Sequence, residues 1–578
     1  TGVIAASGTL GQIIPPSIVI VLLGTLAGDL YSRAQEVRAQ SLGCTDALTY
    51  LGEPAVVSVG TLFQAALLPG ILLAALYAGY AFIYALINPS KAPAVQMAGG
   101  SGDPIGRNHA LQWFLAAPIA LIGGAILLGQ ANMIGSQDIS VSSRSELSEG
   151  ASLRTNVGPD CQAAMIELHG QEAWDLAISE QQAIADAGGA VESRALTDQE
   201  IEDNISQRVA DAAPIGLGIA IGLILMTLVL TTARGVAPRQ DFRPLAIGFA
   251  GVALGLVMDI VFVTPRTSAG VTLILMVVPM ALIFYGLRTA VARLAENELI
   301  RVVFPPLILI VAVLGSILGG ITNPTPAAAL GAGGAIMLAA FRKLKDENKS
   351  PKIIIGSAFA LVIMLLVGMN FDLRVRQDAV SLESWVAFFV AQAAYLYALF
   401  GLLYACWTLF RSGVLSPVVR ETAKVTSMVF TILIGSQLLN LVVISFGGEH
   451  YIQDFLKSFD SEFTVFLIVM LVLFVLGFVL DFLEIIYIVI PIVGPVIYGG
   501  TMDPKWVTIM IAVNLQTSFL TPPFGFALFY LRGVAPKEVT TGHIYRGVIP
   551  FVLIQVLGLL LLFWFPWVVT IIPNLLAG

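Results

Sequence analysis

The chain has 578 residues, of which 57% are hydrophobic and only 12% are charged, and its mean hydropathy is +0.87. This composition excludes an ordinary soluble protein and predicts an all-α polytopic membrane protein. The formal net charge of −8 is spread over polar stretches and forms no basic surface, which excludes nucleic acid as a partner.

Residue types that signal an enzyme or a metal site are sparse. The three cysteines show no CxxC or Cys/His spacing, and the four histidines lie in polar stretches. No GxxxxGK[ST] phosphate loop is present, which argues against an ATPase. We therefore expect no enzyme, no cofactor and no metal other than a coupling ion.

The first predicted element is an apolar segment that a double proline interrupts. Proline has no amide proton and clashes with the preceding turn, so two in a row leave backbone groups unpaired. Within a membrane, such a break is tolerated only where protein or a water-filled cavity covers it, and freed oxygens can then bind a small cation. This broken helix contains Ser7, Gly8, Thr9, Pro15, Pro16 and Ser17. Because the chain starts with Thr1 inside this element, we expect an amino-terminal truncation.

Further stretches are apolar and long enough to cross a bilayer of about 30 Å. They lie at 61–87, 111–131, 214–232, 244–264, 267–287, 303–320, 326–341, 353–371, 384–410, 425–446, 463–480 and 546–573. Between two of them, Thr322, Asn323 and Thr325 sit in a third, weaker break and are candidates for the site or a hinge.

The distribution of Lys and Arg predicts the orientation of these spans. The cluster at 342–352 should face the cytoplasm, and counting back from it places the loops at about 28–59 and 132–212 outside. Helical periodicity around 160–186 and 198–211 makes the second loop a small extracytoplasmic cap. Its acidic residues are more typical of a solvated face than of a binding site. Cys44 and Cys161 lie one in each outer loop, either as a disulfide or as two free thiols.

One apolar run, residues 463–498, is too long for a single span. We predict a span that ends near Asp481, followed by a re-entrant helical hairpin at about 482–500. A carboxylate at membrane depth is costly enough to suggest a function, which we favour for Asp481 and leave even for Glu484. For Asp259, which also interrupts an apolar run, a packing role is favoured.

The second double proline follows this hairpin, in a broken helix at about 505–531. Interruptions at corresponding positions of two halves point to a transport site. This break contains Asn514, Thr517, Ser518, Thr521, Pro522, Pro523 and Gly525.

Several of these blocks together resemble the large membrane subunit of a TRAP (tripartite ATP-independent periplasmic) transporter. They are residues 6–11 with 15–17, Leu68-Pro69-Gly70, residues 319–328, residues 476–481 with the hairpin, and residues 514–525. One departure is Asn323-Pro324-Thr325-Pro326, where the family usually has Thr-Pro-Thr-Glu, so a role of that glutamate is in doubt here.

The resemblance implies a sodium-coupled elevator-type transporter with inverted repeats in the bacterial inner membrane. A periplasmic binding protein would deliver an organic acid, and a small membrane subunit would support the scaffold. One Na⁺ would be bound by Asp481, Asn514, Thr517, Ser518 and Thr521, and the other by Ser7, Gly8, Thr9 and Ser17 with partners on a hairpin before Thr1. We divide the chain into residues 1–131, the cap at 132–213, additional helices at 214–300, and a second repeat at 301–578.

Other functions fit parts of the pattern. A stand-alone sodium/dicarboxylate-type symporter would need no binding protein. A membrane enzyme could use Asp481 and Glu484 as an acid/base pair, but no nucleophile accompanies them. A non-transporting scaffold subunit would have no need of two breaks at membrane depth.

Overall fold

A computed structural model of the chain describes residues 2–90, 107–137, 139, 153–186, 197–296, 298–318, 322–371, 373, 382–459, 461–521, 525, 527–528, 531–532, 535–536 and 538–577. Among these residues the regular structure is helical apart from two short strands, β1 (Ile134–Gly135) and β2 (Ile215–Gly216), which pair in parallel. The predicted all-α polytopic membrane fold is confirmed.

The amino-terminal part contains the first break and the cap. Its helices are α1 (Gly2–Leu10), α2 (Ile18–Ser41), α3 (Ala47–Leu51), α4 (Val59–Ile87), α5 (Arg107–Leu111), a π-helical turn (Gln112–Ala116), α6 (Ala117–Gln130), α7 (Pro159–His169), α8 (Gln171–Asp186) and α9 (Asp198–Asp211).

Long apolar helices follow. They are α10 (Leu217–Val236), α11 (Arg243–Phe262), α12 (Ala269–Glu296), α13 (Glu298–Leu318), α14 (Pro324–Asp346), α15 (Lys352–Asn370), α16 (Leu382–Arg411) and α17 (Leu415–Ser445).

The carboxy-terminal part contains the hairpin and the second break. Its helices are α18 (Gly448–Lys457), α19 (Glu462–Leu476), α20 (Phe482–Glu484), a π-helical turn (Ile485–Val489), α21 (Ile490–Ile497), α22 (Pro504–Leu520), α23 (Thr541–Trp564) and α24 (Trp567–Ala577). The predicted last span, 546–573, is therefore two helices. The break falls at Phe565, because the proline that follows disfavours helical geometry there.

Nine helices within the described residues are long and apolar enough to cross a membrane. They are Val59–Ile87, Gln112–Gln130, Leu217–Val236, Arg243–Phe262, Ala269–Glu296, Pro324–Asp346, Leu382–Arg411, Leu415–Ser445 and Thr541–Trp564. Small residues allow some of them to approach closely. A Cβ on Gly286 of α12 would lie only 2.6 Å from the Cα of Gly248 on α11.

The cap is fastened to the end of α2. A disulfide joins Cys44 to Cys161 of α7, so the structure selects the first of the two predicted alternatives. His169 at the end of α7 contacts the Tyr50 carbonyl at 3.0 Å, and Arg154 lies 3.6 Å from the Asp46 carboxylate. The cap residues 153–177 thereby form a small core with α2 and α3.

Asp259 has a structural role. It is fully buried near the end of α11 and accepts a hydrogen bond from the Gly216 amide at 3.3 Å, where α10 begins. A carboxylate at a helix amino terminus stabilises unpaired amides and the helix dipole. This agrees with the predicted packing role.

Candidate functional site

The first break is closed by the side chain of Ser17. Its hydroxyl donates to the Gln12 carbonyl and accepts from the Ile20 amide at 3.2 Å, which caps α2. The Pro15–Pro16 peptide bond is cis. A Cβ on Gly70 of α4 would lie 2.8 Å from Ile14 Cγ1, so the absence of a side chain lets α4 pass close to the break.

The four candidate ion ligands of this half fall into two pairs. Thr9 and Ser17 are buried, with 2% and 1% of their surface exposed. Ser7 and Gly8 are exposed on α1, and a Cβ on Gly8 would meet nothing within 4 Å. The structure therefore brings only the first pair into the interior of the described residues.

The hairpin differs from the predicted one. Its two arms are α19 and the helix Phe482–Ile497, and its two ends meet, because Glu462 Oε2 accepts hydrogen bonds from the Thr501 amide at 2.9 Å and hydroxyl at 3.0 Å. The prediction took α19 as a full span and Asp481 as the hairpin entrance. With 15 residues, α19 is about 22 Å long, too short for a bilayer, and Asp481 lies at the hairpin tip.

The tip packs against α22. A Cβ on Gly477 would lie 3.1 Å from Ser518 Cβ, and the Phe482 and Phe519 rings lie 4.9 Å apart. At the tip, the Asp481 amide donates to Glu484 Oε2 at 3.1 Å, so Glu484 caps the second arm. These contacts hold the turn that carries Asp481 beside the candidate ion ligands of α22.

Helix α22 lies in the interior of the protein. Every residue from Trp506 to Leu520 is buried, and Thr521 at its end is 7% exposed. The side-chain amide of Asn514 donates to the Met470 carbonyl of α19 at 2.7 Å. The surrounding protein thus covers a helix whose polar residues would be costly in lipid.

The hydroxyls of α22 all donate to their own helix. Thr517 donates to the Asn514 carbonyl at 2.6 Å, Ser518 to the Leu515 carbonyl at 2.6 Å, and Thr521 to the Thr517 carbonyl at 2.5 Å. A hydroxyl that has used its hydrogen in this way can serve further partners only as an acceptor. Such oxygens suit a hard cation.

The two broken helices contact each other through one hydrogen bond. Gln516 Nε2 donates to Thr9 Oγ1 at 3.1 Å, and both side chains are buried. The two residues occupy the same sequence position, six residues before Pro522 and Pro15 respectively. The sequence prediction missed Gln516, although this shared position was a signal that could have found it.

A second link joins the first broken helix to the hairpin. Gln35 of α2 donates to the Tyr498 carbonyl at 2.8 Å and to the Gly500 carbonyl at 3.0 Å, and Arg38 donates to the Gly499 carbonyl at 3.2 Å. The end of the hairpin opposite its tip, where Glu462 contacts Thr501, is thus attached to α2. Sequence reasoning singled out neither Gln35 nor Arg38.

The third break lies across a cleft from the first. Thr322 is half-buried, whereas Asn323 and Thr325 are exposed. Pro324, which begins α14, lines an apolar cleft of about 360 Å³ together with Pro16 and Ser17. None of the three polar residues lines this cleft, so the structure does not bring them to the other candidate ligands.

Part of the second break lies outside the described residues. This applies to Pro522 and Pro523. Gly525 is described and is buried, with a φ of 33° that a residue with a side chain rarely adopts.

Comparison with known proteins shows a similarity over part of the chain. Residues 343–568 match the family model described as "Tripartite ATP-independent periplasmic transporter, DctM component". The chain is 33% identical over 84 residues to the C4-dicarboxylate TRAP transporter large permease protein DctM of Vibrio cholerae, and 34% identical over 82 residues to the sialic acid TRAP transporter permease protein SiaT of Haemophilus influenzae.

These relatives are matched over a small part of their length. The aligned segment is 14% of this chain in both cases, and it covers 18% of the Vibrio protein and 13% of the Haemophilus protein. Both relatives are permeases, in agreement with the prediction that the chain is not an enzyme. The similarity to these permeases and the apolar helices agree with the predicted location in the inner membrane. Over residues 343–568, which are less than half of its length, the chain is similar to the large permease subunits of TRAP transporters.

Proposed function

We propose that the protein is the sodium-coupled large permease subunit of a TRAP transporter that imports a small organic acid. A periplasmic binding protein delivers the acid, and a small membrane subunit completes the complex. The observation that carries the proposal is the end of α22, where Thr517, Ser518 and Thr521 present buried acceptor oxygens beside the hairpin tip with Asp481. The similarity of residues 343–568 to the TRAP transporter family model supports the same function.

One Na⁺ binds at this point. Asn514, Thr517, Ser518 and Thr521 supply neutral oxygens, and the tip supplies one carboxylate, Asp481. A single negative charge balances a monovalent cation, which lowers the cost of burying the Asp481 carboxylate at membrane depth. Pro522 and Pro523, which precede Gly525 in the sequence, have no amide hydrogen to donate, so carbonyl groups of the preceding turn are available as additional ligands.

A second Na⁺ binds at the first break. Thr9 and Ser17 are its buried ligands, and the exposed Ser7 and Gly8 are further ligands. The remaining ligands come from outside the described residues. The amino-terminal end of α2, next to Pro16, faces the substrate carboxylate with its positive dipole.

The two broken helices and the hairpin move together against the remaining helices in an elevator motion. Two direct links support this unit, the Gln516–Thr9 hydrogen bond and the attachment of Gln35 to the hairpin end. The apolar cleft of about 360 Å³ lies between this unit and α13 with α14, as expected for surfaces that slide past each other.

Uptake in proteoliposomes tests the proposal. The complete subunit is reconstituted with its small membrane subunit, and uptake of C4-dicarboxylates and of sialic acid is measured with and without the binding protein and an inward Na⁺ gradient. We expect uptake that requires both and that is lost in Asp481→Ala and Thr521→Ala. Uptake without the binding protein would instead establish a stand-alone symporter, and no uptake under any gradient would support a scaffold subunit.

A further inference from the structure

Four buried polar side chains gather where the two broken helices cross. Thr9 of α1 is 2% exposed, Tyr77 of α4 is 5% exposed, and Gln516 of α22 and Gln555 of α23 are fully buried. Their neighbours are apolar, including Ala5, Ala6, Leu520 and Phe551. Polar groups in such surroundings require hydrogen-bond partners.

Two of the four are hydrogen-bonded to each other, and a third lies beside them. Gln516 Nε2 donates to Thr9 Oγ1 at 3.1 Å, and Thr9 Oγ1 in turn donates to the Ala6 carbonyl at 2.9 Å. The Tyr77 hydroxyl lies beside the Thr9 side chain. The Tyr77 ring packs edge-on against the Phe551 ring of α23, 5.2 Å away.

The register of α23 places Gln555 at the same level. Gln555 follows Phe551 by one turn on the buried face of α23, which continues to Gly558 and Leu562. A Cβ on Gly558 would lie 2.6 Å from Leu73 of α4, one turn from Tyr77. Trp506 of α22 donates to the Leu562 carbonyl at 3.1 Å, whereas Leu520 packs near Phe551, so α22 runs antiparallel to α23. Gln516, ten residues after Trp506, therefore lies at the level of residues 552–555.

Most of the hydrogen-bonding capacity of this group is unused. Tyr77 Oη, Gln516 Oε1, and both Gln555 Oε1 and Gln555 Nε2 have no hydrogen-bond partner among the described residues. A polar group that is buried unpaired destabilises the folded protein. Four such atoms on helices that pack against one another indicate an occupant that satisfies several at once.

The unpaired atoms include donors as well as acceptors. Gln516 Oε1 and Gln555 Oε1 only accept, Gln555 Nε2 only donates, and the Tyr77 hydroxyl does both. A cation would leave the Gln555 amide hydrogens unpaired, and the group contains no carboxylate to balance a charge. A water molecule accepts from Gln555 Nε2 or Tyr77 and donates to the two amide oxygens.

We propose that Thr9, Tyr77, Gln516 and Gln555 enclose a binding site for one buried water molecule at the crossing of the broken helices. The water connects α4 and α23 to the contact between α1 and α22. The water site shares Thr9 with the proposed second Na⁺ site, but its test detects bound water and requires no transport activity.

Hydroxyl-radical labelling by synchrotron radiolysis tests the site, because bound water generates radicals beside a side chain that bulk solvent does not reach. The complete subunit is labelled in nanodiscs. Tyr498 is the matched control, since it is 2% exposed and its hydroxyl already pairs with Thr508 Oγ1 at 2.9 Å. We expect Tyr77 to be labelled several-fold faster than Tyr498, and Gln555→Leu to remove the difference. Equal rates in the unmodified protein, or a difference that persists in Gln555→Leu, would overturn the proposal.

The salt dependence of a map peak distinguishes water from an ion. Cryo-electron microscopy maps are recorded in NaCl and in choline chloride, which requires no substitution and does not depend on the folding of a variant. We expect a peak between Gln516 and Gln555 in both salts. A peak only in NaCl would identify a Na⁺ site instead, and no peak in either salt would refute an ordered occupant.

Discussion

Substitutions at two buried threonines of the same helix distinguish an effect on ion binding from an effect on folding. Thr517 and Thr508 are each 1% exposed in α22, and each donates to a carbonyl of its own helix, at 2.6 Å in both cases. Only Thr508 has a further partner among the described residues, the Tyr498 hydroxyl at 2.9 Å. We predict that Thr517→Val weakens Na⁺ binding, whereas Thr508→Val weakens folding.

The magnitudes follow from what each hydroxyl contacts. In Thr517→Val the lost bond is to a carbonyl that the helix already uses, so the unfolding free energy should fall by less than about 1 kcal/mol. Loss of a ligand to a charged group costs about 1.5–3 kcal/mol, which raises the apparent Kd for Na⁺ about 10- to 100-fold. In Thr508→Val the buried Tyr498 hydroxyl loses its partner, which costs about 1–3 kcal/mol of stability.

Two measurements on the same variants test these opposite effects on Na⁺ affinity and on stability. Na⁺ dependence of uptake or of thermal stability gives the apparent Kd, and thermal unfolding in choline chloride gives the stability without Na⁺. Thr517→Ser, which keeps the oxygen, should retain Na⁺ affinity close to that of the unmodified protein. If Thr517→Val bound Na⁺ as tightly as Thr508→Val does, the assignment of α22 as the ion site would be wrong.

Three further predictions concern the links around the site. Replacing both Cys44 and Cys161 by Ser should lower the stability of the cap by up to about 4.7 kcal/mol, because the bridge closes a loop across 117 positions, and thermal unfolding with and without reductant measures this. Gln35→Leu removes two hydrogen bonds to the hairpin end but also an unpaired buried oxygen, so we expect a net loss of about 1–2 kcal/mol in thermal unfolding, larger than for Gln40→Leu on the exposed surface of the same helix. The Thr49 amide lowers the pKa of Asp46, so the carboxylate stabilises the start of α3 above its unfolded pKa and this contribution is lost as the pH falls through the lower folded pKa; hydrogen exchange of residues 47–51 should accelerate there, and Asp46→Asn should abolish that pH dependence.

The breaks could be predicted because their cause is local. Two prolines in succession remove hydrogen bonds whatever surrounds them, and the structure interrupts the helix between Leu10 and Ile18. The burial of Asn514, Thr517, Ser518 and Thr521 also follows from their position in such a segment. Side-chain chemistry at a break is thus accessible from the sequence alone.

The hairpin shows what local patterns do not determine. The run 463–498 is apolar except at Asp481 and Glu484, and hydropathy alone does not distinguish one span from two short arms. A contact between residues distant in sequence indicates the two short arms. Glu462 accepts hydrogen bonds from Thr501, which bring the ends of the hairpin together across 39 positions of sequence. The attachment of Gln35 to Tyr498 spans 463 positions and has no local signature.

The helix that carries the candidate ligands, α22, is not identified as a membrane span by a hydropathy search. With 17 residues, α22 is too short to be among the described helices that qualify as membrane spans, and Asn514, Gln516, Thr517 and Ser518 also reduce its apolar character. These residues remain at membrane depth because α19, α1 and the hairpin tip supply their contacts. A polar helix can be enclosed in this way only within a bundle of helices that pack against one another through their apolar faces. Among the described residues, nine apolar helices are long enough to cross a membrane, whereas α22, which is not one of them, carries the ligands of the proposed ion site.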